Sequence, residues 1–308
     1  MTPEVTESQA RDALAELMKT HGDPGQNRLS ICRVTDYEIE KHYSVFLVTA
    51  EDGQINVLKH NTDSYEPRVY ELIVAPLGIG PKLLSAVETP EGSWLLLQHL
   101  ERGDLRRATQ VDYRVATEML AGLHTRYSGL GSAIPGFLRD EGAGFELLLE
   151  RVREAEGNGA NQLPRRLTEC VVEAIKTLGS MPQTVIHGDP LPNNVVLGKD
   201  GPRFIDWGST AVGPYAYDLA RLLSVTRDGY QKLLLSEEAQ LTLVHHYRET
   251  RKALGKDQED LTRIGREFTC GRICNYAEIV VAFLRHGWPR SPWYSANLES
   301  IELECTKL

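Results

Sequence analysis

The segment His187-Gly188-Asp189-Pro190-Leu191-Pro192-Asn193-Asn194 precedes Phe204-Ile205-Asp206-Trp207-Gly208 by a gap of hairpin length. It sets an Asp, an Asn and a second Asp at spacings of five and twelve residues. Those side chains suit phosphoryl transfer from a nucleotide. That chemistry asks for one carboxylate near the attacking hydroxyl and at least two oxygen ligands that hold magnesium against the phosphates. Asp189 is the candidate base or orienter. Asn194 and Asp206 are the candidate magnesium ligands, because magnesium takes hard oxygen donors and shares its shell with phosphate. Asp and Asn also populate loops for purely local reasons, so either residue alone would say little. The set, with Gly188 and a hairpin between its members, says much more.

The elements that must position them can be read from pattern. The two prolines disfavour a helix between Asp189 and Asn194. Val195-Val196-Leu197 reads as a strand, Lys199-Asp200-Gly201-Pro202 as a turn, and Arg203 to Ile205 as the returning strand. Asp206 is then expected at the end of the second arm, where it can meet Asn194 at the start of the first. Upstream, Glu4 to Lys19 has the spacing of an amphipathic helix. Ile31–Glu40, His42–Ala50 and Gln54–Lys59 read as strands, with Glu51-Asp52-Gly53 as a hairpin turn. Ser64 to Pro76 reads as a helix with Pro67 in its first turn, ended by Gly78-Ile79-Gly80-Pro81. Lys82–Val87 and Ser93–Leu100 are two more strands. Beyond Gly103 the pattern turns helical: Val111–Tyr127, about Gly144–Glu156, Leu163–Gly179, and several helices from Tyr215 onward. Strands followed by helices imply an α+β protein of two lobes. Residues 1–100 would form an antiparallel sheet lobe with one main helix, preceded by the N-terminal helix, and 101–308 a mainly helical lobe.

Bulk properties exclude several classes. Net charge is −9 over 308 residues, which argues against a nucleic-acid surface. Residues 1–100 hold 15 acidic and 8 basic residues, so most of the excess lies before the candidate site. Charge therefore gives no support to a polycationic substrate. There is no apolar run of transmembrane length and the polar start is unlike a signal peptide. Five cysteines form neither a zinc pattern nor an even disulfide framework, which reads as a reduced, cytoplasmic protein. Cys270 and Cys274 would share a helix face as core residues. No G-x-x-x-x-G-K-[ST] or G-x-S-x-G run occurs, removing P-loop and α/β-hydrolase readings.

His187-Gly188-Asp189 through Asn194, followed by Ile205-Asp206-Trp207, resembles the aminoglycoside phosphotransferase and choline kinase family of protein-kinase-like enzymes. The order of elements matches from about Ile31 into the C-terminal helices. The resemblance implies a two-lobe kinase-like fold, with Asp189 catalytic, Asn194 and Asp206 holding Mg2+, and His187 buttressing the loop. It also implies that Lys59 contacts the nucleotide α- and β-phosphates, a task suited to a strand-end ammonium acting as a point charge. Alone, Lys59 would read as a solvated lysine. Its partner is Glu66 or Glu71; Glu66, with Tyr70 four residues on, fits the family's E-x-x-x-Y run better. Periodicity leaves the choice open, since residues five apart face different sides of a helix.

Trp94 to Gly103 resembles the family's hinge, so adenine would be read there by the Gln98 carbonyl and Leu100 amide, with His99 between them. Backbone bonds of that kind serve ATP and GTP alike. The resemblance also implies that Asp218 caps or braces the catalytic loop from a helix start, which suits an acidic residue on an N-terminal dipole. One departure is that Thr35 to Val45 contains no glycine, so phosphates are not covered by a G-x-G-x-x-G loop, and any contact there would come from ordinary amides or a hydroxyl such as Ser44. Asp218 follows Asp206 by only twelve positions, too few for a peptide-binding activation segment. A small-molecule hydroxyl acceptor is therefore expected: an aminoglycoside, a choline-like amino alcohol or a sugar. Tyr276, Glu278, Trp288, Trp293 and Tyr294 are conceivable pocket residues that core and surface packing explain equally well. The competing readings are a catalytically weak nucleotide-binding regulator, which has no need of all four of Lys59, Asp189, Asn194 and Asp206, and a protein kinase. The oligomeric state is open.

Overall fold

A computed structural model describes residues 5–20, 29–36, 41–101, 103–107, 109–129, 135–157, 162–224, 235–255, 263–287 and 292–308. The chain divides into two compact units, residues 1–102 with 203–208, and residues 103–202 with 209–308. The sequence expectation of a single division after residue 100 places 203–208 with the later half. In the structure, Phe204 N–H donates to the Ile79 carbonyl (2.9 Å) and ties that segment to the first unit.

The first unit is built on five antiparallel strands in the order β1-β2-β3-β5-β4. They are β1 (Ser30–Asp36), β2 (Lys41–Thr49), β3 (Ile55–Asn61), β4 (Leu83–Thr89) and β5 (Gly92–Gln98). Alternation decides what each face buries. Phe46, Leu58 and Leu96 are register partners and point one way, where they join Val48 and Trp94 against Ala10, Ala13, Leu14 and Leu17 of α1 (Glu7–Thr20). The alternate row, Val45, Lys59 and Leu95, points the other way. That face is covered by α2 (Tyr65–Val69), which continues through a π-helical turn (Tyr70–Val74) into α3 (Ala75–Leu77). Gly78 closes the helix in the left-handed conformation at φ 63°. The sequence predicts one regular helix here; the structure inserts a π turn, a feature that often marks functional regions.

The second unit is mainly helical: α4 (Gln110–Tyr127), α5 (Gly142–Ala155), α6 (Arg165–Gly179), α7 (Tyr215–Ser224), α8 (Glu237–Ala253), α9 (Ile264–Arg285) and α10 (Pro292–Cys305). Helix α4 starts at a full capping box between Thr109 and Asp112. A small sheet of order β6-β10-β7 (Arg139–Asp140, Ala211–Pro214, Gln183–Ile186) had no counterpart in the sequence reading. Strands β8 (Val195–Gly198) and β9 (Gly201–Phe204) form the expected hairpin. Asp206 does not end β9 but follows it by two residues.

One sequence expectation is corrected. Cys170 of α6 and Cys305 of α10 are joined by a disulfide with Cα atoms 6.1 Å apart. They are 135 residues apart in the chain, so no spacing rule pairs them. The reading of five reduced thiols therefore holds only for Cys32, Cys270 and Cys274. Cys270 and Cys274 are buried core residues on α9, as their spacing predicts. Among the described residues no helix is long and apolar enough to cross a membrane.

Candidate active site

In the first unit, β3 delivers Lys59 to the face covered by α2. Its Nζ lies 2.6 Å from Glu66 Oε2 and 2.6 Å from Asp206 Oδ1. Glu66 is 2% exposed and its Oε1 also accepts the Trp207 backbone N–H at 3.0 Å. Burial works to lower the Lys59 pKa, but the two carboxylates outweigh it and leave the ammonium above its ordinary value. Glu66 is itself raised, chiefly by burial and further by repulsion from Asp206, which together outweigh the opposing pull of Lys59 and the Trp207 N–H. Asp206 is the single described non-glycine residue with positive φ, at 64°. Left-handed backbone costs a non-glycine residue of order 1–3 kcal/mol and persists where its surroundings enforce it. Here they do. Phe204 is bonded to Ile79, and Trp207, fully buried, bonds to Glu66 and through its indole N–H to the Phe204 carbonyl at 2.9 Å. The Asp206 side chain stays 55% exposed.

In the second unit, β7 runs directly into the His187-Gly188-Asp189 loop. Asp218, fully buried on α7, accepts the backbone N–H groups of His187 (2.7 Å) and Gly188 (2.9 Å). Its Oδ2 also meets His124 Nε2 of α4 at 3.2 Å, and His124 Nδ1 meets the Tyr247 hydroxyl of α8 at 2.8 Å. Gly188 has φ 82°, and a Cβ there would run into the Ser209 carbonyl. The loop is thus fixed from below by one carboxylate and needs glycine at its bend. Asp189 N–H donates to His187 Nδ1 (3.2 Å), which makes the buried His187 a buttress, as the resemblance implied.

The Asp189 carboxylate is held at both oxygens. Asn194 Nδ2 donates to Oδ2 at 2.9 Å and to the Asp189 carbonyl at 2.9 Å. Arg221 Nε donates to Oδ1 at 2.7 Å. Glu141, the residue before α5, belongs to the same neighbourhood. Burial, then repulsion from Glu278 and Asp218, pushes its carboxyl up to about 7, with Arg221 partly offsetting. Because folding raises this pKa, the folded state holds the proton more tightly. The stability it contributes is complete below the unfolded value and is lost as pH rises through about 7. Glu141→Gln should therefore melt alongside the parent at about pH 4, below the unfolded value, and at a higher temperature than the parent at about pH 8. Melting curves whose difference does not change with pH would refute this.

A family model described as the phosphotransferase enzyme family matches residues 64–253, which include Glu66, Asp189, Asn194, Asp206 and Asp218. The chain belongs to this family. Similar solved structures include the choline kinase LicA of Streptococcus pneumoniae, with 12% identity, TM-score 0.61, and 91% of this chain and 94% of that one covered. An aminoglycoside phosphotransferase of Alicyclobacillus acidocaldarius has 12% identity, TM-score 0.62, and covers 100% and 94%. Macrolide 2'-phosphotransferase type I has 15% identity, TM-score 0.57, and covers 97% and 98%. At such identities the likeness establishes the fold, a protein-kinase-like α+β arrangement. No curated protein sequence matches the chain significantly.

Within this family fold, the structure brings Lys59, Glu66 and Asp206 together in one unit and Asp189 and Asn194 together in the other. It decides between the two glutamates: Glu66 is buried on Lys59, whereas Glu71 is exposed. Gln98 ends β5 opposite Asn56, and its N–H donates to the Lys82 carbonyl at 2.9 Å; His99 and Leu100 follow outside the strand, half-buried. Of the glycine-free stretch, residues 37–40 lie outside the described residues, as does Trp288. Sequence reasoning missed Arg221, Tyr217 and Asn275. It had a usable signal for the first: Arg221 follows Asp218 by three residues on α7, so a helix face that meets the loop at Asp218 meets it again one turn later.

Proposed function

We propose that this chain transfers the γ-phosphoryl group of ATP to a hydroxyl of a small molecule, such as an aminoglycoside, a choline-like amino alcohol or a sugar. The observation that carries the reading is the lysine of β3 held by Glu66 and Asp206, an ammonium kept charged and aimed beside an exposed carboxylate. That pairing suits a nucleotide's phosphates and the metal that accompanies them. Family membership supports a phosphotransferase at the coarser level.

The donor set fits magnesium. Asp206 offers an exposed carboxylate and Asn194 an amide oxygen, both hard donors. Asn194 is already oriented, because its Nδ2 is spent on Asp189, while its Oδ1 accepts from Asn193 Nδ2 at 3.2 Å and keeps a second lone pair. These two residues would hold the ion, which when bound neutralises charge on the phosphate oxygens. Lys59 would contact the α- and β-phosphates, with Glu66 keeping it in place. The Gln98 carbonyl and Leu100 amide, flanking His99, would read the purine through backbone bonds that serve ATP or GTP. Asp189 would orient the acceptor hydroxyl and take its proton as the new O–P bond forms and the bond to the β,γ-bridging oxygen breaks, leaving ADP.

A small acceptor is supported by the chain between Asp206 and Asp218. A short 3-10 turn (Trp207–Ser209), β10 and the start of α7 account for most of it. No length is left for a peptide platform. Incubation with ATP, Mg2+ and a panel of alcohols, sugars and aminoglycosides should give acceptor-dependent ADP release. Release that ignores every acceptor would count against the reading.

A further inference from the structure

The geometry points to Arg221 as the positioning residue of Asp189, the group that fixes the plane of its carboxylate for the acceptor hydroxyl. This rests on the phosphotransfer reading above. The guanidinium is held on two sides. Its Nε donates to Asp189 Oδ1 at 2.7 Å. Its Nη1 faces Asn275 Oδ1 at 2.8 Å, Glu278 Oε2 at 2.9 Å and the Tyr217 hydroxyl at 3.2 Å. Each of those partners is itself tied down. Asn275 Nδ2 donates to the carbonyls of Gly271 (3.0 Å) and Tyr217 (3.2 Å). The Tyr217 hydroxyl donates to Glu278 Oε1 at 2.7 Å, and its ring packs edge-on against Phe145. The guanidinium carbon also lies 5.6 Å from the Tyr217 ring centre.

Arg221 is therefore a rigid bracket from α7 and α9 to one oxygen of Asp189, while Asn194 holds the other oxygen. With both oxygens engaged, rotation about the carboxylate's own bond is blocked. Each oxygen has a second lone pair that can still receive a hydroxyl proton. The planar fork matters more than the charge. A lysine ammonium at this position is a point donor on a flexible stem and cannot span Asp189 and the α9 acceptors in one fixed plane.

Misplacing a reacting group by about 1 Å costs on the order of 100-fold in rate. Arg221→Gln should therefore lower kcat by roughly 10–100-fold, with the nucleotide KM changed by no more than about twofold. Arg221→Lys should recover little of that loss. In an Asp189→Asn background, read by single turnover with labelled nucleotide, Arg221→Gln should cost nothing further, because the arginine acts only through Asp189. An arginine that merely ties α7 to α9 would lower the rate by the same factor in both backgrounds, and that result would overturn the proposal. Full activity in Arg221→Lys would also overturn it, by showing that charge alone suffices.

Thermal melting separates a failure here from a failure of the phosphotransfer reading. If the parent protein moves no phosphate at all, that reading falls. Arg221→Gln and Asp189→Asn should even so lower Tm by clearly less together than the sum of their single shifts. Additive shifts would show that the two side chains are not paired.

Discussion

Asp189→Asn is expected to reduce turnover by about 10²–10⁴-fold, the usual worth of a positioned acid–base group. That factor is about 3–5 kcal/mol of transition-state stabilisation. The substitution keeps size and shape but removes the proton acceptor. It also leaves an amide where one oxygen met Arg221 and the other met the Asn194 amide, so one of those contacts must become donor against donor. Because the side chain is partly exposed, water can fill the lost contact, and the stability cost should be no more than about 1–3 kcal/mol. Nucleotide binding should survive, since Lys59, Glu66 and the β5 end belong to the other unit. Steady-state kinetics with nucleotide titration checks this. Turnover within a few-fold of the parent would remove Asp189 from the mechanism.

The second large effect is expected at Asp206. Asn tolerates left-handed backbone better than most residues, so Asp206→Asn keeps the φ of 64° and the side-chain volume and removes only charge. Lys59 then retains Glu66 as its one carboxylate from this pair. Loss of an outer-shell partner typically costs 10–100-fold in metal affinity. Replacing a direct carboxylate ligand should cost at least that much. Magnesium titration at fixed nucleotide, read by calorimetry, should show the midpoint moved by about two decades or more. An unaltered midpoint would mean that Asp206 serves Lys59 and not the metal.

What was legible in the sequence is what short spacing controls. Asp189, Asn194 and Asp206 stand out because two loops and one hairpin fix their order within eighteen residues. The sheet and its flanking helix follow from alternation and from the Pro67 and Gly78 signals. Contacts made at a distance were not legible. Arg221 meets Asn275 and Glu278 from another helix more than fifty residues away, and Cys170 meets Cys305 across 135. Strands β7 and β10 escaped for a different reason. Each has four residues and is largely buried, so neither shows alternation, and Gly213 with Pro214 reads as a break. Glu66 and Glu71 could not be told apart because helical phase alone was available. Burial resolved them, with a π turn beginning between the two.

The two units have different parts in this account. The first offers a lysine with two carboxylates and the strand end that leads to His99 and Leu100. The second offers a carboxylate whose loop is braced through Asp218 and whose plane is set by Arg221 and Asn194. The proposed reaction needs the nucleotide contacts of one and the acceptor chemistry of the other. The most direct test is therefore to follow the phosphoryl group itself. With ATP labelled at the γ-phosphate, Mg2+ and a mixed panel of small hydroxyl compounds, the parent protein should place label on a small molecule. Asp189→Asn should place almost none. Label that stays on nucleotide and free phosphate in the parent, or reaches the same acceptor equally in Asp189→Asn, would contradict the account.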